Sequence, residues 1–235
     1  MAAKIDVITS GYATILQSEQ NQGGQPAAPN KYMKASGSCS LVRSNRINVL
    51  FDTMGPWERD HLVSSLSELR IHPDDIHFLV CSHSHADHVG NLNLFTRAKK
   101  HFVGTSVYTN DVYDLNCFEP IGSYTYKSKE RKSEYEVVTY QDYSLDENLT
   151  LEPSHGHTME CITMLVSNCE QYGTVALAGD LFERKEDVDD ESIWIGAGSQ
   201  NLDLQRANRS RIYNKVDYIL PGHGKLFKST GSKFF

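Results

Sequence analysis

The sequence lacks long apolar runs and an excess of basic charge. No stretch approaches the roughly 18 apolar residues of a membrane-spanning helix, and the first segment, MAAKIDVITSGY, has no apolar secretion core. Lys and Arg number 23 against 30 Asp and Glu, so the formal net charge is −7. We therefore expect no membrane partner and no general attraction to polyanions, and a nucleic-acid ligand would need a local basic patch.

Paired cysteines and internal repeats are missing as well. The five cysteines are scattered, odd in number and form no CxxC pair. We interpret them as reduced thiols, which together with the missing secretion signal predicts a cytosolic or nuclear protein. The 235 residues are 39% hydrophobic and 23% charged. This composition predicts one globular domain over residues 1–235.

Hydrophobic patterning predicts a chain of the α/β or α+β class. Strand patterns lie around residues 5–16 and in CSLVR, INVLFDT, IHFLVCS, ITMLVS, GTVALAGD and DYILPGHG. A helix is predicted from Pro56 onwards, where Leu62, Leu66 and Leu69 share one face, and another in SQNLDLQRANRSRIYNKV. Residues 17–38 are rich in Gln, Gly, Pro and Asn, which predicts a long connection between two strands.

Three histidines and an aspartate follow one predicted strand within six residues. The stretch VCSHSHADH contains His83, His85, Asp87 and His88. Residues two apart in an extended chain point the same way, so His83 and His85 project together, and a turn near Asp87 brings in His88. Imidazole and carboxylate are good ligands for zinc and similar ions. Left unpaired, these groups would cost several kcal/mol, which favours a metal site over a histidine-rich surface turn.

Further donors stand at the ends of other strand patterns. SHGHT carries His155 and His157 ahead of a strand, AGD ends a strand with Asp180, and PGHG ends another with His223. Each is weak alone, because Asp180 could cap a turn and His223 could be a turn residue. Strand ends on one edge of a sandwich converge, so together they predict one site.

This motif set resembles the metallo-β-lactamase fold hydrolases. The resemblance rests on HxHxDH at His83–His88, the GHT histidine, the AGD aspartate and the PGHG histidine, and it runs from INVLFDTM to LPGHG. It implies an α/β fold, a four-layer αββα sandwich, and two zinc ions or other divalent metals such as iron or manganese. FDTMGPW, HVGNLNLF and AGDLFER resemble one subfamily of these hydrolases more than a generic glyoxalase.

The resemblance also implies a role for each donor. The first metal would be held by His83, His85 and a later histidine, the second by Asp87, His88 and His223, with Asp180 bridging the two. Asp52, in LFDT, resembles an aspartate that orients a ligand histidine without binding metal itself, a common way to fix a histidine tautomer.

The identity of the later histidine stays open. The family usually has TPGHT where this chain has SHGHT, so a proline is replaced by His155 and His157 keeps the GHT position. We favour His157 as the ligand and place His155 beside the site. If PSH aligns with the PGH of the family instead, His155 is the ligand. A third reading is that both approach the site and change its metal preference.

Aspartate rather than cysteine at position 180 resembles the glyoxalase and nuclease branches of the family. We expect hydrolysis of an ester-like or phosphate bond by hydroxide formed at the metals, with Asp87 as the catalytic residue that orients it and accepts its proton. The resemblance implies a homodimer that cleaves single-stranded RNA, such as histone pre-mRNA 3′ ends. Local basic stretches that could serve RNA are RAKKH, KSKERK and RANRSR.

Two other functions compete with RNA cleavage. The compact size and acidic balance suit a small ester or thioester hydrolase of the glyoxalase type. Only KLFKSTGSKFF follows the PGHG motif, where such enzymes use a helical extension to hold glutathione. A metal-binding protein without catalysis, acting in metal homeostasis, is the third candidate, since fold alone does not fix function.

Overall fold

Two mixed β-sheets form the centre of the computed structural model, which describes residues 1–16, 32–128 and 133–229. Within these residues the first sheet contains, in spatial order, Lys4–Thr9 (β1), Cys39–Ser44 (β4), Ile47–Phe51 (β5), Phe78–Cys81 (β6), Lys100–Val103 (β7), Ser106–Thr109 (β8) and Val112–Tyr113 (β9). The second contains Tyr143–Ser144 (β12), Leu149–Pro153 (β13), Ile162–Cys169 (β14), Gly173–Leu177 (β15), Tyr218–Leu220 (β16) and Phe227–Lys228 (β17). Two separate ribbons pair Tyr12–Leu16 (β2) with Tyr32–Ser36 (β3) and Pro120–Ser128 (β10) with Ser133–Tyr140 (β11).

Four α-helices accompany the sheets in the described part of the chain. They are Arg59–Glu68 (α1), Ala86–Val89 (α2), Glu191–Ala197 (α3) and Leu202–Tyr213 (α4). None of the helices described is long and apolar enough to cross a membrane. The cysteines form no disulfide, as their scatter predicted.

The side-chain alternation of the strands explains the layering. In β5, Val49 and Phe51 join the core between the sheets, whereas Leu50 points outward to the cluster that contains Leu62 of α1. On the opposite outer face, Ile219 of β16 belongs to the cluster that contains Ile212 of α4. Helix, sheet, sheet and helix therefore stack in that order, which confirms the predicted αββα sandwich.

The strand predicted around residues 5–16 is two strands. The chain breaks at Gly11, which has a φ of +65°, and a Cβ there would lie 2.5 Å from the carbonyl oxygen of Ser36. A glycine is required at this close approach. The predicted connection over residues 17–38 contains β3, and residues 17–31 lie outside the described residues.

The strand directions determine where the functional residues gather. In the first sheet β6 is parallel to β5 and to β7, and in the second β16 is parallel to β15. The carboxyl ends of parallel strands meet at one edge of a sheet, where open α/β sheets place their ligands. The loops that follow β6, β15 and β16 carry predicted donors, and the loop that follows β5 carries Asp52.

Candidate metal centre

The ends of four strands bring predicted donors from distant parts of the chain to one place. β6 runs into His83, β13 leads to His157, β15 leads to Asp180 and β16 leads to His223. The turn predicted after His83 is the short helix α2, which places His88 inside the fold while His85 stays exposed. All seven predicted donors fall into two groups, and Asp180, a member of the first group, also faces the second.

The first donor group consists of His83, His85, His157 and Asp180. The Nδ1 atom of His85 lies 2.8 Å from Nε2 of His83 and 3.2 Å from Nε2 of His157. The Oδ2 atom of Asp180 lies 3.3 Å from Nε2 of His157 and 3.6 Å from Nε2 of His83. Two ligand atoms about 2.1 Å from one ion are at most about 4.2 Å apart. The distances therefore fit a single cation.

The second donor group consists of Asp87, His88 and His223, and it faces the other oxygen of Asp180. Oδ1 of Asp180 lies 3.2 Å from Nε2 of His88 and 3.3 Å from Nε2 of His223. Oδ2 of Asp87 lies 3.7 Å from Nε2 of His223 and 3.9 Å from Nε2 of His88. These distances fit a second cation, on the opposite side of the Asp180 carboxylate.

Two atoms at the centre of the site are buried without a hydrogen bond, although they lie 3.2 Å apart. Nε2 of His88 and Oδ1 of Asp180 have no hydrogen-bond partner among the residues that the structure describes. Burying an unpaired polar or charged group costs several kcal/mol. A divalent cation between them would satisfy both atoms, so the residues fit the metals that the family resemblance implies.

The second ring nitrogen of most of the histidines is held by the surrounding structure. Nδ1 of His157 donates to the carbonyl oxygen of Gly198 over 2.8 Å, and Nδ1 of His223 donates to the carbonyl oxygen of Ser36 over 3.0 Å. Because a carbonyl only accepts, the proton sits on Nδ1 and leaves Nε2 as the lone-pair donor. These bonds orient both rings for metal binding.

Asp52 performs the orienting task for His88. Its Oδ2 accepts a hydrogen bond from Nδ1 of His88 over 2.9 Å, and its Oδ1 accepts one from the backbone N–H of Ser82 over 2.6 Å. Asp52 is fully buried and lies outside both donor groups. It has a left-handed backbone with φ of 58°, a conformation that Asp tolerates better than most residues.

Gly222, in the PGHG motif, makes room for the shared carboxylate. A Cβ at this position would lie 2.0 Å from Oδ1 of Asp180. Any side chain there would displace the carboxylate oxygen that faces the second donor group. The motif therefore supplies His223 and also the space in which Asp180 lies.

Protonation differs between the two groups. Burial lowers the pKa of His83 well below its usual value, and it also lowers the pKa of His157. Burial acts the same way on His223, but the carboxylates of Asp180 and Glu183 outweigh it and raise the pKa of His223 to about 9. At neutral pH, His83 and His157 are therefore ready to bind a cation, whereas His223 must first lose a proton.

The structure brings His157, and not His155, into the donor groups. His155 is buried elsewhere, with its ring edge-on to Tyr140 at a centroid distance of 4.7 Å. Asn208 donates to its backbone carbonyl over 2.9 Å. The role proposed for His155 beside the metals stays a prediction, since its described contacts are with Tyr140 and Asn208.

Sequence reasoning missed Glu183. This residue is buried and lies near the second donor group, with Oε2 3.9 Å from Nε2 of His223. Burial, and next the nearby Asp180, raise the pKa of the Glu183 carboxyl well above its usual value. Glu183 is the last residue of AGDLFE, three positions after Asp180, but the sequence pattern did not distinguish this glutamate from one in a surface turn.

A comparison with protein families covers the whole site. The family model of the metallo-beta-lactamase superfamily matches residues 34–223, which include every donor named above. Metallo-beta-lactamase domain-containing protein 1 of Xenopus laevis is 35% identical over 195 residues, which are 83% of this chain and 73% of that protein. These matches confirm the resemblance predicted from the motifs.

Solved structures show the same fold at lower identity. The AiiA protein of B. thuringiensis, solved with N-decanoyl-L-homoserine at its active site, is 20% identical with a TM-score of 0.60, covering 95% of this chain and 94% of its own. AidC, a dizinc quorum-quenching lactonase in complex with a product, is 16% identical with a TM-score of 0.56, covering 84% and 76%. Both likenesses concern the architecture.

Proposed function

The chain belongs to the metallo-beta-lactamase superfamily and is a metal-dependent hydrolase, and from that premise we propose that its donor groups hold two divalent cations, zinc in the first instance, to hydrolyse an ester-type bond. The observation that carries the proposal is that the two carboxylate oxygens of Asp180 face different donor groups. Its Oδ2 faces His83 and His157, whereas its Oδ1 faces His88 and His223. A carboxylate between two donor groups is what a pair of neighbouring cations needs.

The chain contributes orientation and a proton acceptor. Bound divalent cations would supply Lewis acidity and would lower the pKa of water from 15.7 to about 7. The Asp87 side chain is 17% exposed and that of Asp180 only 6%. Substrate and water can therefore reach Asp87, which we assign to orient the attacking water and to accept its proton.

A groove beside the second donor group indicates the substrate class. Its volume is about 670 Å³, within the usual range of ligand pockets. One end is formed by His223 and Glu183, and the walls are largely apolar, with Ala13, Ile15, Tyr32, Met33, Ile193 and Ala197. We therefore propose a small carboxylic ester or thioester with an apolar portion as the first substrate class. The acyl ligand of AiiA occupies the active site of that protein.

Single-stranded RNA is the second candidate, because the groove also offers groups that RNA uses. Tyr32 is 58% exposed and could stack on a base, and Arg184 lines the same groove and could contact a phosphate. An apolar groove with one aromatic and one cation fits one or two nucleotides, so any RNA bound here would be short and single-stranded.

The basic stretches predicted to serve RNA give it little support. In RANRSR, each arginine of α4 is engaged by a carboxylate: Arg206 by Glu191, Arg209 by Asp187 and Arg211 by Glu152. In RAKKH, Arg97 pairs with Asp74 and Lys100 with Asp114. Residues 129–132 of KSKERK lie outside the described residues. The paired cations are largely neutralised for phosphate binding, and this ranks RNA second.

A hydrolysis panel tests the proposal. Zinc-loaded protein is assayed on nitrophenyl esters of increasing acyl length, on an acyl thioester and on a labelled single-stranded RNA, alongside Asp87→Ala and His223→Ala. His61→Ala is the matched control, since this histidine is exposed on α1. We expect ester or thioester turnover that increases with acyl length and is lost in the first two variants only.

The other outcomes of the panel are equally informative. Cleavage of RNA alone, with the same dependence on Asp87 and His223, would replace the first substrate class with the second. If protein that holds two cations turns over none of these substrates, the proposed hydrolysis is contradicted and metal handling becomes the better account.

A further inference from the structure

Glu183 has a buried carboxylate that the proposed chemistry does not use. The residue is 3% exposed, and its Oε1 atom has no hydrogen-bond partner among the described residues. Among the described residues no lysine or arginine lies within ion-pair distance of this carboxylate, and the adjacent Arg184 lies near Glu186 instead. Burial therefore opposes the ionised form of Glu183, and a bound cation would satisfy it.

The backbone of Glu183 is fixed in place by the surrounding loop. Its N–H donates to Oδ2 of Asp187 over 2.7 Å, and its carbonyl accepts from the N–H of His223 over 2.8 Å. The second bond ties Glu183 to the residue that follows β16 and contributes a metal donor. The carboxylate is therefore delivered to the site by the same loop contact that positions His223.

The carboxylate of Glu183 lies within coordination range of this site. Its Oε2 is 3.9 Å from Nε2 of His223, below the limit of about 4.2 Å for two ligands of one ion. Glu183, Asp180 and His223 each offer an atom within 4.8 Å of the others, which makes them a third donor group. All three are buried, which separates the group from the acidic clusters common on protein surfaces.

We propose that Glu183 is an additional carboxylate donor to the cation that His223 and Asp180 hold, an inference that rests on the proposed dinuclear function. The two cation positions then differ in chemistry. The first has three imidazoles and one carboxylate, whereas the second has two imidazoles and the carboxylates of Asp87 and Asp180. Glu183, which comes within range of Asp180 and His223, adds a third carboxylate from that side. Carboxylate-rich sites suit manganese, and imidazole-rich sites suit zinc. Glu183 therefore makes the second position the one that accepts the harder cation.

Metal-binding measurements on metal-stripped protein test this inference without reference to turnover. Mn²⁺ is titrated into wild type, Glu183→Gln and Glu183→Asp, and the unbound ion is followed by electron paramagnetic resonance. Zn²⁺ stoichiometry is measured in parallel by competition with a chelator. Glu186→Gln is the matched control, because its side chain is 68% exposed and lies three residues away.

We expect Glu183→Gln to bind Mn²⁺ about tenfold or more weakly, while the first Zn²⁺ binds as in wild type. Glu183→Asp is also expected to weaken Mn²⁺ binding, because its shorter side chain withdraws the oxygen from the site. Glu186→Gln is expected to match wild type. The aspartate variant keeps the test decisive if the glutamine variant does not fold.

Two results overturn the inference in distinguishable ways. If wild type holds two cations and both Glu183 variants bind Mn²⁺ as tightly as wild type, Glu183 is not a donor and the dinuclear function stands. If wild type itself holds fewer than two cations, the dinuclear premise fails and this inference fails with it.

Discussion

Two buried carboxylates seven residues apart are satisfied in different ways. Asp187 accepts hydrogen bonds from Arg209, one of them 2.7 Å long, so a cation of the chain itself neutralises it. Asp180 is buried beside four histidines, and its Oδ1 has no hydrogen-bond partner in the described part of the chain. The first carboxylate completes the fold beneath α4. The second is paired only with histidines, which can exchange their protons for a metal ion, and this marks it as part of a site.

The largest expected effect comes from Asp180→Asn. Because the carboxylate faces both donor groups, its loss should weaken binding of each cation about 100-fold or more and abolish hydrolysis. The metal-free protein should lose less stability than Asp187→Asn does, because the histidines that face Asp180 can give up their protons when the carboxylate is removed, whereas an arginine cannot. Chelator competition and urea unfolding measure the two quantities. Wild-type affinity for both cations would refute the shared role.

Asp187→Asn is expected to show the reverse pattern. Arg209 would remain buried without its counter-charge, which should lower the free energy of unfolding by about 3–5 kcal/mol. Cation affinity of the folded protein should stay near wild type. If urea unfolding shows that this variant and Asp180→Asn lose the same free energy of unfolding, the proposed distinction between the two carboxylates is wrong.

His155 and His157 are two residues apart but have different roles. His157 belongs to a donor group, whereas His155 should make the stability of the fold sensitive to acid. Burial, and next the charge of Arg211, lower the pKa of His155 from 6.5 to about 4. Between pH 6.5 and pH 4 the imidazole of His155 is protonated in the unfolded chain but neutral in the folded one. The free energy of unfolding therefore falls as the pH decreases from about 6.5 towards 4. The full effect is about 3 kcal/mol.

His155→Gln tests this pH dependence. Between about pH 6.5 and 4, the free energy of unfolding of this variant should fall less steeply than that of the wild type. Urea titration of metal-free protein at several pH values measures the difference. His61→Gln, an exposed substitution, should keep the wild-type decline. An unchanged slope in His155→Gln would show that His155 is not held neutral by burial.

Asp52→Asn is expected to give the smallest effect and to separate the two donor groups. Asp52 accepts a hydrogen bond from His88, which faces the second cation, and it contacts no histidine of the first group. Its loss should weaken binding of the second cation about 10- to 100-fold and leave the affinity for the first cation unchanged. Chelator competition resolves the two steps. If binding of both cations weakens equally, Asp52 supports the whole loop after β6 and not only the ring of His88.

The sequence predicted the candidate donors because their signal is local. HxHxDH, AGD and PGHG follow predicted strands and GHT precedes one, and parallel strand pairs bring the strand ends together. The αββα layering was predicted from the family resemblance, whereas the hydrophobic pattern alone indicated only an α/β or α+β chain. These features depend on residues that are close in sequence or on the directions of neighbouring strands.

The remaining features depend on tertiary neighbours that no local pattern reveals. RANRSR predicted a basic surface, yet Arg209 is buried against Asp187. Glu183 stands near the second donor group only because β16 returns parallel to β15 and places His223 against the carbonyl oxygen of Glu183. The β10–β11 ribbon went unrecognised because its strands, SYTYKS and SEYEVVTY, are largely polar and lack an apolar period.

Anomalous X-ray diffraction from crystals grown with zinc would locate both cations directly. We expect two zinc peaks per chain on opposite sides of Asp180, one contacting His83, His85 and His157 and the other contacting Asp87, His88 and His223. A single peak, or two peaks that do not share the Asp180 carboxylate, would contradict this expectation.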